Sequence, residues 1–336
     1  QYSWFRRSGA RNVMRNKQQI SFVIPVFNEG PVIPLLLERL NPLLDDLDHS
    51  TEVIIVDDGS TDDSFFQFSR ICESDPRFKV IRFSRNFGHQ RAITAGCDHA
   101  SGDAVILMDS DLQDPPEIVP KLIEKWHEGY EVVYAVRKER KGETAFKKLT
   151  AWAYYKLLMR LTPHEIPESS GDFRLISRPV LEAFKSMREE GRFVRGMISW
   201  IGFRQIGVPY IRDERAAGKT KYPIRKMLSL AAEGIIGFSE APLRFSIWLG
   251  ILVSVFGFLY ALYSISVWIF GHTVQGWTST IIIVSLIGGA NLLMTGVLGL
   301  YIGQISREVR RRPLYVVTET IGLKTNNGKN QSNGSQ

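Results

Sequence analysis

The stretch Ala104-Val105-Ile106-Leu107-Met108-Asp109-Ser110-Asp111-Leu112-Gln113 decides the fold of this chain. Its apolar half has the length and composition of a buried strand, and it ends in two carboxylates one residue apart. Open α/β sheets bind ligands beyond the C-terminal ends of their strands. Asp109 and Asp111 therefore stand where one hard divalent cation can be shared, and the natural partner of such a cation is a diphosphate. A single helix cap cannot account for both groups. Left unpaired they would repel, and a bridging cation relieves the repulsion.

Upstream, the β-rich run 19–28 ends in a Pro-containing turn, and 32–44 has helical spacing. Strands at 52–56 and 79–83 alternate with helices at 62–73 and 91–100, ahead of the strand at 104–108. Such alternation implies right-handed crossovers and a mostly parallel sheet covered on both faces. Three of the four strand ends carry polar groups: Asn28-Glu29, Asp57-Asp58 and Asp109-Ser110-Asp111. Their convergence on one sheet edge is the strongest sign of a site.

Each group also has a local reading. Ser60 is expected to cap the following helix, while Asp58 is read as a ligand carboxylate accepting a base N–H or a ribose hydroxyl. Asp114, ahead of Pro115-Pro116-Glu117, reads as an N-cap with Pro in the first turn. No Gly-x-Gly-x-x-Gly follows the first strand and no Gly-x-x-x-x-Gly-Lys-Ser/Thr occurs, which excludes the common dinucleotide and P-loop sites. The six His residues lack zinc-protease spacing.

The chain of 336 residues has room for one large α/β domain and an appendage. Its net charge of +7 suits phosphorylated substrates or anionic lipid, and the apolar C-terminal half favours these over nucleic acid. Two cysteines, Cys72 and Cys97, allow neither a disulfide framework nor a Cys-rich zinc site, as suits a reducing compartment. Residues 1–18 read as a basic leader, in part an expression remnant, without the apolar core of a secretion signal. The Asn/Gly/Ser-rich end, 325–336, is expected to be disordered.

No Asp, Glu, Lys or Arg occurs in 245–306. Within that span 247–270 would form a helix about 36 Å long, enough to cross a hydrocarbon core of ~30 Å, and 279–302 a second. Lys219, Lys221, Arg225, Lys226 and Arg244 precede the first span, and Arg307, Arg310, Arg311 and Arg312 follow the second. The connecting loop offers only His272, so both termini and the catalytic domain are expected on the cytoplasmic side. Trp268 and Trp277 would mark the far interface. Gly299-xxx-Gly303 would let spans approach closely in a homo-oligomer, and 223–243 reads as an amphipathic helix on the membrane surface.

The ordered motifs VIPVFNE (23–29), IIVDDGS (54–60), SRNFGHQRAITAG (84–96), MDSDLQDPPE (108–117) and SSGDFRL (169–175) resemble those of glycosyltransferase family 2. Within it they look most like the polyisoprenyl-phosphate glycosyltransferases, over roughly residues 19 to 312. The two C-terminal spans are similar to the bactoprenol glucosyltransferase branch. The resemblance implies a GT-A catalytic domain at 19–212, an acceptor loop and juxtamembrane helix at 213–244, two membrane helices within 245–306 and a cytoplasmic tail at 307–336. It implies a nucleotide-sugar donor, Mg²⁺ or Mn²⁺, and a bacterial inner-membrane location. Pro25, Phe27, Glu29 and Asp58 would hold the nucleoside. Asp109, Asp111 and Gln113 would surround metal and diphosphate, with Asp111 as the foremost ligand. Arg137 would face phosphate, and Asp172 is the expected catalytic carboxylate.

The expected reaction is inverting: a lipid phosphate oxygen attacks the anomeric carbon and the nucleoside diphosphate leaves. Because a phosphate monoester is largely ionised at pH 7, Asp172 acts either as a base or as an orienting group. Arg215, Lys219 and Lys221, in the polar stretch 212–222, would bind the acceptor phosphate; the alternative is a solvated linker. UDP-glucose and undecaprenyl phosphate are the expected substrates, with GDP-mannose as the alternative donor. A processive polysaccharide synthase would need more spans and usually a Gln-x-x-Arg-Trp motif, which is absent. A non-enzymatic membrane-anchored nucleotide sensor is the remaining class.

Overall fold

The computed structural model describes residues 17–137, 170–211, 241–270 and 276–323. The expected acceptor residues Arg215, Lys219 and Lys221, nearly all of the juxtamembrane helix, the loop His272 and the 325–336 tail lie outside them.

Eight strands form one mixed, mostly parallel sheet in the order β7-β5-β6-β4-β1-β2-β3-β8. In chain order these are β1 (Gln19–Val26), β2 (Ser50–Asp57), β3 (Phe78–Phe83), β4 (Ala104–Leu107), β5 (Val132–Arg137), β6 (Ser170–Ser177), β7 (Gln205–Tyr210) and β8 (Val317–Ile321). β1 is parallel to β2 and β4, β2 to β3, and β5 to β7; β6 and β8 enter antiparallel. The helices are α1 (Ile33–Asp46), α2 (Ser64–Ser74), α3 (His89–His99), α4 (Val119–His127), α5 (Arg178–Ser186), α6 (Val194–Ile201), α7 (Ala241–Ile269) and α8 (Trp277–Arg310).

Period-two alternation explains the two-layer cover. From β1, Ile20, Phe22 and Ile24 pack with α1, α2 and α4 on one face, whereas Val23 packs with α3, α5 and α6 on the other. Burying a side chain such as Phe22 contributes about 1.5–3 kcal/mol. α3 lies so close to β1 that a Cβ at Gly96 would collide with Val23.

Glu52, buried in β2, is the polar exception. It accepts hydrogen bonds from Ser101 N–H at 2.7 Å, from the hydroxyls of Ser21 and Ser101, and from Lys79. Burial alone would raise its carboxyl, but these partners outweigh it and hold Glu52 below the usual carboxylate range.

α7 and α8 contain apolar stretches, Leu243–Val267 and Ile282–Arg310, long enough to cross a bilayer and almost wholly unburied by the rest of the chain. α8 continues beyond the expected end at 302, and in its last turn Glu308 accepts the Glu190 N–H at 2.8 Å. The chain then returns to the sheet as β8, within the stretch expected to be a tail.

Candidate active site

Two pairs of strand-end loops are laced together at the expected edge. Ser60 Oγ accepts the Asn28 N–H at 3.0 Å, and Asn28 Oδ1 accepts the Thr61 N–H at 2.8 Å. Ser64 and Asp62 accept the N–H groups of Glu29 and Gly30. Ser60 is therefore not the expected helix cap: α2 begins at Ser64 with Asp63 at its N-cap position, and the Ser60 hydroxyl serves the β1 loop instead.

Asp58 is buried, and its two oxygens accept the N–H groups of Phe87 (2.6 Å) and Gly88 (2.9 Å). Burial pushes its carboxyl up against those bonds. Thus Asp58 holds the 84–88 loop, with only its remaining lone pairs left for a ligand. Gly59, at φ +72°, makes this crossing feasible, since a Cβ would lie 2.8 Å from Arg85 Cα.

Beside this junction is a cleft of about 680 Å³ lined by Phe27, Gly59, Ser60, Arg82, Arg85 and Asn86, among others. The Phe27 ring is exposed there. Pro25, opposite Val56, is buried within β1, and Glu29 is part-buried in the following turn; neither lines the cleft.

At the end of β4 the chain makes a strained turn. Leu112 is a buried non-glycine residue at φ +58°, a conformation that costs of order 1–3 kcal/mol and persists where surroundings enforce it. The turn brings the Gln113 N–H to 3.1 Å from Asp111 Oδ1. Asp109 is part-buried, and its Oδ1 has no hydrogen-bond partner. Burial, with the charges of Asp172, Asp114 and Asp111, pushes its carboxyl up to about 6 against the pull of His89.

Asp114 corrects the sequence expectation. Pro115 holds the cap position, while Asp114 is wholly buried and accepts the hydroxyl of Tyr210. Arg137, at the end of β5, donates to the Tyr210 oxygen at 3.2 Å and stands 4.0 Å from Asp114. A long-range partner has displaced the local one.

Asp172 sits on β6 in a cage of donors. Arg195 Nε donates to Oδ1 at 2.7 Å; Oδ2 faces Arg195 Nη2 (3.3 Å), Gln90 Nε2 (3.3 Å) and His89 Nε2 (3.2 Å). Burial would raise the carboxyl, but Arg195 and His89 outweigh it and hold Asp172 well below the usual range. His89 Nε2 is also 3.4 Å from Asp109 Oδ1, so the imidazole spans the two carboxylates. Burial would lower its pKa, yet the two acids raise it to about 9. Behind them Arg174 is buried, donates to the Gly171 carbonyl at 2.9 Å and is lowered to about 10 by burial.

The structure thus gathers Asp109 and Asp172 about His89, and Arg137 about Asp114, while Phe27 stands at the cleft. His89, Gln90, Arg174 and Arg195 were not foreseen as site residues. His89 and Gln90 lie within a noted motif, and Arg195 is a lone charge in the apolar run of α6; no spacing links either to Asp172. Among the described residues no three His, Cys, Asp or Glu side chains form a ready-made metal cage.

Residues 21–184 match the family described as Glycosyl transferase family 2. The uncharacterized glycosyltransferase YkcC of Bacillus subtilis (strain 168) is 50% identical over 307 residues, covering 91% of this chain and 95% of that protein. The bactoprenol glucosyl transferase of Shigella phage SfII is 41% identical over 303 residues, covering 90% and 98%. A glucosyl-3-phosphoglycerate synthase structure from Mycobacterium tuberculosis has a TM-score of 0.49 and 23% identity, over 65% of this chain and 78% of that one.

Proposed function

The chain belongs to glycosyl transferase family 2, and from that premise we propose that it moves glucose from UDP-glucose to a membrane polyprenyl phosphate. The observation that carries this reading is the joining of a carboxylate-rich strand edge to a pair of bilayer-length helices within one chain. Full-length similarity to a phage bactoprenol glucosyl transferase supports the acceptor class and the sugar.

Asp109 and Asp111, with Gln113, are the residues that would hold Mg²⁺ or Mn²⁺. Asp109 Oδ1, which accepts no hydrogen bond and faces the His89 ring at 3.4 Å, and the raised carboxyl fit a cation that lowers the cost of crowded negative charge. When bound, such an ion supplies Lewis-acid stabilisation of charge on the leaving diphosphate. Phe27 offers the base an exposed ring, and Asp58 fixes the loop beside it. Arg137 carries positive charge to the end of β5, where a phosphate oxygen would need it.

The acceptor phosphate has a second pKa of about 6, so it arrives largely ionised and needs no strong base. Asp172, held well below the usual range, is a poor proton acceptor. Its role in this proposal is to orient the sugar or acceptor and to keep Arg195 and His89 in place. Attack opposite the leaving group inverts the anomeric centre, so an α-linked donor gives a β-linked lipid phosphosugar.

Arg215, Lys219 and Lys221 remain the proposed phosphate-binding residues of the acceptor loop. α7 and α8 would be a two-pass anchor with catalytic domain and termini in the cytoplasm of a bacterial inner membrane. Arg244 precedes one span and Arg307 to Arg312 end the other, and the contact of Glu308 with Glu190 puts that basic end against the catalytic domain. Gly299 and Gly303, whose Cβ positions meet only open space, leave a face for a homo-oligomer contact.

The test is transfer from labelled UDP-glucose by the full chain in nanodiscs, with undecaprenyl phosphate, divalent ion or both omitted in turn. Lipid-linked glucose is expected only with both present. Transfer from GDP-mannose alone would replace the donor, and no transfer from any nucleotide sugar would remove the reading.

A further inference from the structure

β8 follows the second apolar helix, yet it is built into the edge of the catalytic sheet. It runs antiparallel to β3 with Glu319 opposite Arg82 and Thr320 opposite Ile81. The lead-in is pinned as well. Tyr315 stacks on Phe83 with ring centroids 5.0 Å apart and donates its hydroxyl to Asp98 at 2.8 Å. Leu314 is buried, and the Val316 carbonyl accepts the Ser84 N–H at 3.0 Å. Thr318 Oγ1 donates to the Arg82 carbonyl at 3.2 Å.

Through this pairing Thr318 and Glu319 line the 680 Å³ cleft together with Phe27, Gly59, Arg85 and Asn86. Among the described residues lining it, Glu319 is the single carboxylate. The nearby acids are engaged: Asp57 accepts the Ser60 N–H and faces Arg82 at 3.5 Å, and Asp58 holds Phe87 and Gly88. A nucleoside brings ribose hydroxyls and ring N–H groups, donors that an exposed carboxylate accepts in strong, charge-assisted hydrogen bonds.

We propose that the strand after the second membrane helix completes the nucleoside site, with Glu319 and Thr318 as donor-reading residues. The proposal rests on the nucleotide-sugar reading above and goes beyond it. One wall of the donor cleft is then continuous with the membrane anchor, because only the short segment from Arg310 to Val317 separates helix from strand.

Calorimetry with UDP on the full chain in nanodiscs tests it, using Glu319→Ala, Glu319→Gln and Thr318→Ala. The expected result is at least tenfold weaker UDP binding for Glu319→Ala, with partial recovery in Glu319→Gln, whose amide oxygen still accepts. The KM for UDP-glucose should rise while that for polyprenyl phosphate stays unchanged, a split that loss of fold would not produce. UDP affinity within twofold of the parent in both Glu319→Ala and Thr318→Ala would overturn the inference while leaving the donor reading intact. Failure of the parent chain to bind either UDP or GDP would overturn both.

Discussion

Arg195 Nε donates to Asp172 Oδ1 at 2.7 Å, joining the first turn of α6 to the beginning of β6. The bond fixes a buried carboxylate in its charged form and occupies one of its oxygens. A group so held is suited to orientation and electrostatic stabilisation rather than to accepting protons.

Asp172→Asn and Arg195→Ala should each lower kcat on the order of 10²–10³-fold, the scale expected for losing one preorganised electrostatic contact. Since the Asp172 pKa is depressed, it stays ionised from pH 5 to 9 and contributes no titration there. The kcat profile of Asp172→Asn should therefore keep every limb of the parent's at lower height, with any limb that His89 contributes moved to lower pH, because one of the two acids that raise it is gone. A limb present in the parent and missing in the variant would mark Asp172 as a titrating base.

For the paired acids, Asp111→Ala and Asp109→Asn should abolish metal-dependent donor hydrolysis and transfer. Chelation of divalent ions should do the same to the parent, reversibly. Manganese titration calorimetry in the presence of UDP reads the site directly. Near-normal turnover in Asp111→Ala would count decisively against it as a ligand.

Glu52 yields a stability prediction away from the chemistry. Its depressed carboxyl contributes stability that is fully present above the unfolded-state pKa of about 4.3. That stability is lost as pH falls through the lower folded-state pKa. Glu52→Ala leaves Lys79, Ser21 and Ser101 without their acceptor and should cost about 3 kcal/mol at neutral pH. Denaturant unfolding of parent and variant at pH 7 and pH 3.5 should show the difference shrinking in acid. An equal difference at both values would contradict the charged role.

Lys219→Ala combined with Lys221→Ala should raise the acceptor KM about tenfold or more, given about 1 kcal/mol for each cation near an anionic surface. The donor KM should stay within twofold. An unchanged acceptor KM would remove these lysines from acceptor binding.

The strands were legible because their apolar runs end in turn residues, and β2 and β4 fall within two residues of their expected limits. β8 was not, because five residues with two exposed polar side chains carry little pattern by themselves. Ser60 and Asp114 misled for one reason: each has a plausible local cap role, and each found a stronger partner across the fold, Asn28 and Tyr210 respectively. His89 and Arg195 come to Asp172 from 83 and 23 residues away, a convergence that no periodicity encodes.

Sequence by itself determined the alternating sheet, the acidic edge at Asp109 and Asp111, and the two uncharged spans, since each is written in adjacent residues. Only tertiary structure decided which charges face one another: that Arg195 and His89 hold Asp172 ionised, and that the chain returns from α8 to wall the cleft. Hydrophobic pattern is local and additive along the chain. The ionisation of a buried acid depends on charges a few ångströms away in space, wherever they stand in the sequence.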